Sequence, residues 1–492
     1  MSRWLAASLI VIASSAAGCG PPTAAQAPAP ATPVPKAAEL SKQPELPKEA
    51  EPPKQSELAS RKAGVDWPAF LGPTGDGKSP EQGILKDWPA TGLKLVWQRP
   101  LGEGYGAPTI SRGRLFQFDR FGNRQRLYCL NAETGEQLWQ YEVPTDYEDM
   151  YGYNNGPRCS PVVDEDRVYA YGVDGRLICC TVADGKPLWD VDTSKEFGVV
   201  QNFFGVGSTP VVEGDFLIVM VGGSPPESQR VPRGQLNLVD PNGAGIVAFD
   251  KRTGEVKYKL ADELASYASL KLATIGQRRW CFAFCRGGLV GFDPASGQMD
   301  FHYPWRAKIL ESVNASMPVV RGDEVLISET YGPGSSLLKV SPAKCEVVWK
   351  DDDRSRDKAM QTHWNTPIDV DGYLYGSSGR HTDNAVLRCI EWKTGKVKWS
   401  RPGMTRCSLT NIDGHFLCMG EYGQLSLLKV NPDKYDEVAT IDYADPQLGE
   451  KLLGAPGPLL KYPCWAAPIV SHGLLYLRGE GRLVCLELIP RS

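Results

Sequence analysis

From residue 95 onward the chain runs in short apolar stretches separated by Gly, Asp and Asn. Several alternate strictly, as in Arg167-Val-Tyr-Ala-Tyr171, and this period of two predicts half-buried strands. The stretches also recur at a longer interval. Leu127-Tyr-Cys-Leu-Asn-Ala-Glu-Thr-Gly135 aligns with Leu177 to Gly185, Ile246 to Gly254, Leu289 to Gly297 and Leu387 to Gly395. Leu337 to Cys345 and Leu427 to Tyr435 fit the same frame with the glycine replaced. Four residues past the frame comes a large aromatic: Trp139, Trp189, Tyr258, Phe301, Trp349 or Trp399, with Ala439 in the seventh repeat.

Each repeat reads as four strands. The innermost is apolar and follows a small or medium residue and a proline, as in Ser160-Pro161, Thr209-Pro210, Met317-Pro318, Thr366-Pro367 and Ala467-Pro468. Asp-Gly and Thr-Gly pairs mark the hairpins. An eighth repeat, around Leu483-Val-Cys-Leu-Glu487, ends with no strand after it. The missing strand lies at the other end of the sequence. Leu95-Val-Trp97-Gln-Arg-Pro-Leu101 carries the aromatic pattern with no strands before it. Pairing the two closes a ring and leaves no open edge. The expected fold is all-β: an eight-bladed β-propeller of four-stranded blades, closed by an N-terminal strand, over 64–492.

The residues before it read differently. Arg3 and the apolar run Leu5 to Ala17 end in Ala16-Ala17-Gly18-Cys19, which predicts a lipoprotein signal peptide over 1–19 with Cys19 lipidated. Residues 20–63 are rich in Pro, Ala, Glu and Lys and poor in large apolar side chains, so they predict a disordered tether. Gly20 after the cysteine, rather than Asp, resembles lipoproteins sent to the outer membrane. The expected location is the cell envelope, lipid-anchored and facing the periplasm.

The inner-strand leads, the Leu-x-Cys/Ala-Leu third strand, the Thr-Gly turn and the aromatic four residues later together resemble the PQQ-like propeller repeat, named for pyrroloquinoline quinone. Quinoprotein alcohol dehydrogenases share it with BamB, the outer-membrane assembly lipoprotein. The resemblance covers roughly 95–488. Asp66-Trp-Pro-Ala-Phe-Leu-Gly-Pro-Thr-Gly-Asp-Gly77 is also similar to the lead-in of planctomycete-type propellers of this kind. The resemblance implies one of two functions: a non-catalytic, BamB-like scaffold, or a quinone-dependent oxidoreductase working in the central funnel.

A quinoprotein needs an acidic base over the quinone, and Ca²⁺ held by carboxylate and amide oxygens. The family also covers the quinone with two adjacent cysteines. Cys179-Cys180 are adjacent here but fall inside a third strand, where Cys129, Ala248, Gly291, Cys389 and Cys485 fill the slot of Cys179. They read as core residues. Cys281 and Cys285, about 13 Å apart on one strand, cannot bridge each other. No metal spacing stands out, so the expected cofactor is none, with PQQ and Ca²⁺ only if the funnel is catalytic. His302, His415 and His472 read as structural.

The loops leading into the inner strands are polar and aromatic. They nominate a funnel-rim site: Asn154, Asn155, Arg158, Gln201, Asn202, Asn314, His363, Trp364, Asn365, Arg406 and Trp465. Such a rim suits an envelope protein or peptide, or a small polar ligand. Ser378-Gly-Arg-His381 belongs to this rim or to the opposite one. The net charge of −4 over 492 residues gives no reason to expect nucleic acid. Asp351-Asp-Asp-Arg-Ser-Arg-Asp357 reads as a solvated charge run.

Overall fold

A computed structural model describes residues 58, 60, 61 and 63–491. The expected signal peptide, Cys19 and most of the tether lie outside the described residues. Leu58 and Arg61, near the tether's end, already touch the folded part: Leu58 N–H donates to Arg112 O, and Arg61 pairs with Glu487 at 2.6 Å. Among the described residues no helix is long and apolar enough to cross a membrane.

The described strands form eight sheets, and the fold is an eight-bladed propeller. Seven blades follow chain order, from Thr109–Pro144 to Cys407–Asp442. The eighth joins Ile469–Ser471, Leu474–Gly479 and Arg482–Glu487 to Leu95–Pro100, which pairs antiparallel with Arg482–Glu487. Closure is thus the strand exchange expected from the sequence.

The outermost strand pair of every blade carries a register shift at one place. There a third-strand residue faces the blade's aromatic: Cys129 opposite Trp139, Cys179 opposite Trp189, Ala248 opposite Tyr258, Gly291 opposite Phe301, Cys389 opposite Trp399, Cys485 opposite Trp97. The slot is small because a large ring lies across it. In blade seven the volumes trade places, with Leu427 opposite Ala439.

Two repeat frames need correction. Leu337 faces Trp349, and Leu427 faces Ala439, so each occupies the slot of Cys129 rather than that of Leu127. The hairpins of blades five and seven are two residues longer between slot and aromatic. In blade five, strands Ser335–Ser341 and Lys344–Lys350 run up to a tight turn where Ala343 adopts φ 58°. A two-residue offset keeps every side chain on its face, so the hydrophobic pattern does not reveal it.

The aromatics lock neighbouring blades. Trp139 Nε1 donates to Val182 O of blade two at 3.0 Å, and its ring lies on Gly185. Trp97 does the same with Ala132 O and Gly135, and Trp349 with Trp392 O and Gly395. Where blade seven lacks the ring, Ile84, Leu93 and helix Pro446–Leu453, through Leu448, join the core between blades seven and eight.

The vicinal cysteines point to opposite sides of their strand. Cys179 packs in the core toward blade three, Cys180 in that toward blade one. All twelve described cysteines are free. The charge run departs from its expected solvation at its first residue. Asp351 is buried and accepts Ser335 N–H at 2.7 Å and Ala359 N–H at 2.8 Å, which pins the loop; Asp352 to Arg354 are exposed.

Candidate functional site

The inner strands surround a central channel, and the chain before blade eight's closing strand crosses one end of it. Trp67 exchanges backbone hydrogen bonds with Ile110 of blade one, and Pro68 O accepts from Val163 of blade two. Lys271 of blade four donates to Thr74 O at 3.0 Å and Gly75 O at 2.6 Å. Lys78–Ser79 adds a parallel strand to Asn411–Ile412 of blade seven. Glu81 accepts from His472 N and Gly473 N of blade eight, both at 2.7 Å, and the His472 ring meets Asp66 at 3.0 Å. Burial would raise the Asp66 carboxyl, but hydrogen bonds from His472 and Arg112 outweigh it and hold it low. Gly72, at φ 84°, lets the turn fold onto Trp67, where a Cβ would come within 2.9 Å of the indole. Residues 66–79 therefore plug the channel.

Above the plug lies a cavity of about 440 Å³, with Phe70 and Leu71 at its floor. Six of the nominated residues line it: Arg158, His363, Trp364, Asn365, Arg406 and Trp465. The other five do not, and hold the surrounding loops. Asn154 Oδ1 accepts Gly156 N–H and Asn155 Oδ1 accepts Asp149 N–H. Gln201 donates to Glu148 O and Asn202 to Ala265 O. Asn314, fully buried, donates to Cys285 O at 2.8 Å and Trp305 O at 3.2 Å. Arg380 and His381 line the cavity, which settles the side on which Ser378–His381 lies.

Other lining residues were not singled out from the sequence. Tyr105 and Tyr267 precede the inner strands of blades one and four, where repeat equivalence could have found them. Tyr462 sits three residues before Trp465. Tyr331 comes from the loop after blade five's second strand, which the repeat frame does not cover.

The cavity wall is aromatic. Trp364 and Trp465 lie 4.6 Å apart, Tyr105 and Trp465 4.7 Å. Arg406 sits 4.4 Å from the Trp364 ring and pairs with Glu421 at 2.6 Å. Trp465 Nε1 donates to the same carboxylate. Burial would raise Glu421, but hydrogen bonds from Arg406 and Trp465 hold it low, so it is ionised. Arg158 pairs with Asp149 at 2.7 Å. Arg380 lies 4.4 Å over Tyr331.

No Asp or Glu is among the lining residues. His363, whose Nε2 meets Tyr331 OH at 3.2 Å, is driven down to about 3 by burial and by Arg406 and Arg380, so it is neutral. Burial pushes the Tyr331 hydroxyl up to about 12 and those of Tyr105 and Tyr267 above their ordinary value. The cavity thus offers cations, hydrogen-bond donors and ring faces, and no basic carboxylate. Among the described residues no cluster of three or more His, Cys, Asp and Glu is arranged to hold a metal. The oxygen donors that Ca²⁺ and an acidic base require do not fit this lining.

A family model described as outer membrane protein assembly factor BamB matches residues 88–401. No curated protein matches the chain by sequence. Among solved structures, BamB from Moraxella catarrhalis aligns with a TM-score of 0.52 at 13% identity, over 80% of this chain and 98% of that one. Quinohemoprotein alcohol dehydrogenase from Comamonas testosteroni aligns with a TM-score of 0.55 at 12% identity, over 85% and 80%. At such identities the likeness is one of fold, and that fold carries both an assembly factor and a dehydrogenase.

Proposed function

The chain belongs to the PQQ-like β-propeller family described as outer membrane protein assembly factor BamB, and we propose that it is a binding propeller of the cell envelope, lipid-anchored through Cys19, that captures an envelope protein, a peptide or a small polar ligand at the open end of its plugged funnel. The observation that carries the reading is the composition of the cavity. Arg158, Arg380 and Arg406 stand among aromatic rings with no acid beside them in the lining. Such a surface recognises by charge, hydrogen bonding and stacking. A dehydrogenase would need a base there, and the neutral His363 is the nearest to one.

The rim extends the same surface outward. Tyr153 is 69% exposed and lies 6.2 Å from Phe204, and Tyr151 is 49% exposed. Photocrosslinking tests the reading. A crosslinker at Tyr153 in the full, membrane-tethered chain is expected to yield discrete adducts, and one at Leu138 on the outer strand of blade one none. Equal labelling at both positions would refute it. Saturable binding of PQQ and Ca²⁺ with dye-linked alcohol oxidation would replace it with the quinoprotein function.

A further inference from the structure

We propose that Cys407 and Cys418 of blade seven are a cystine site: in an oxidising compartment they join in an intramolecular disulfide that ties together two strands behind the cavity wall. The bond depends on the envelope location proposed above for its oxidant, since disulfides form and persist in oxidising compartments. In the structure both residues are thiols.

Register brings the two together. In the antiparallel pair Cys407–Ile412 and His415–Gly420, Cys407 faces Gly420 and Leu409 faces Cys418. The cysteines are therefore diagonal neighbours on one face of the pair. Both are buried in the core between blades six and seven. Among the described cysteines no other two lie on strands paired with each other. Gly420 puts no side chain directly across from Cys407, and a Cβ there would meet nothing nearer than 3.5 Å. The two thiols hydrogen-bond to each other, and that contact, together with burial, drives the Cys418 thiol well above its ordinary value.

The pair also sits where a covalent tie has an effect. The strand Cys407–Ile412 meets the plug at Asn411–Ile412, and Arg406 and Ser408, on either side of Cys407, line the cavity. The strand of Cys418 leads into Glu421, which pairs with Arg406 at 2.6 Å. A bond between 407 and 418 fixes the two strands that carry this ion pair and closes a short loop, which restricts the unfolded chain.

Formation of the bond removes two protons and two electrons from the thiols. A small-molecule disulfide accepts them, its own S–S bond breaking to give two thiols. Buried, protonated thiols attack slowly, so the exchange needs the blade to form or to open.

The full chain, purified from the envelope without reductant, is alkylated in denaturant and its peptides are mapped by mass spectrometry. The expected result is one linked peptide pair holding Cys407 and Cys418, leaving ten of the twelve described cysteines to alkylate; in chain kept in reductant all twelve react. In a second arm, reduced chain is incubated with oxidised glutathione in a sub-denaturing concentration of urea, which lets the blade open and reclose. The same link is expected there, and Cys407→Ala or Cys418→Ala is expected to abolish it. A link in the second arm alone supports the site and refutes the oxidising envelope location. Absence of the link from both arms overturns the inference, as does equal linkage of either residue to Cys389, the third cysteine of the same core. If crosslinks at Tyr153 persist in that case, the binding function stands without it.

Discussion

The lock between blades can be broken and repaired from either side. Trp139 leaves its own blade to cover Gly185 of the next, and a Cβ on Gly185 would lie 2.3 Å from Trp139 Cε3. Trp139→Ala removes a ring that is 8% exposed, together with its hydrogen bond to Val182 O. Cavity formation at buried aromatics costs about 3–5 kcal/mol. Gly185→Ala incurs two penalties. Its φ of 72° disfavours a side chain by about 1–2 kcal/mol, and forcing the methyl into the indole adds about 1–3 kcal/mol. In the double variant the indole is gone and only the backbone penalty remains. The two changes should therefore couple favourably by about 1–3 kcal/mol. Guanidinium unfolding of the wild type, both single variants and the double variant, with the m-value checked for constancy, measures the cycle. Additivity within about 0.5 kcal/mol would refute the inter-blade lock.

Three further predictions concern the plug, a buried carboxyl and the cysteines. Lys271→Met leaves Thr74 O and Gly75 O without their donor, and loss of such buried bonds costs about 1–3 kcal/mol; hydrogen exchange over 66–79 should speed up, and unchanged protection would count against the plug. Burial pushes Glu329 up to about 7, against amide donations from Tyr331 at 2.7 Å and Gly332 at 2.9 Å. The folded protein then holds a proton that the unfolded chain releases at the ordinary carboxylate value, so stability falls as pH rises from there to 7, by roughly 3 kcal/mol. Glu329→Gln should flatten that slope in pH-dependent unfolding, and parallel curves would contradict the assignment. Of the twelve described cysteines only Cys345 is not fully buried, and burial pushes its thiol up to about 11. A thiol reagent should label at most that one in the native state and all twelve after unfolding; rapid labelling of Cys179 or Cys180 would break their assignment as core residues.

The ring was legible in the sequence because its signals are periodic. Strand alternation, the turn glycine and the aromatic four residues later recur, and an aromatic strand with no strands before it found its partner across nearly the whole chain. The small slot at Cys179 was legible for the same reason. What only tertiary structure decided does not repeat. The glycine and tryptophan that stand four apart in one repeat do not pack on each other; the tryptophan serves the glycine of the next blade. The two-residue extension of blades five and seven preserves strand parity, so no pattern exposes it. The rim residues look alike in sequence, yet Asn314 turns into the backbone at Cys285 and Trp305 while Trp364 faces the cavity, because the direction of each loop depends on the neighbour that satisfies its polar atoms. The plug occurs once, and its segment carries few large apolar residues. It becomes ordered only because five blades present groups at their inner strands to one short stretch of chain, and that convergence exists only once the ring has closed.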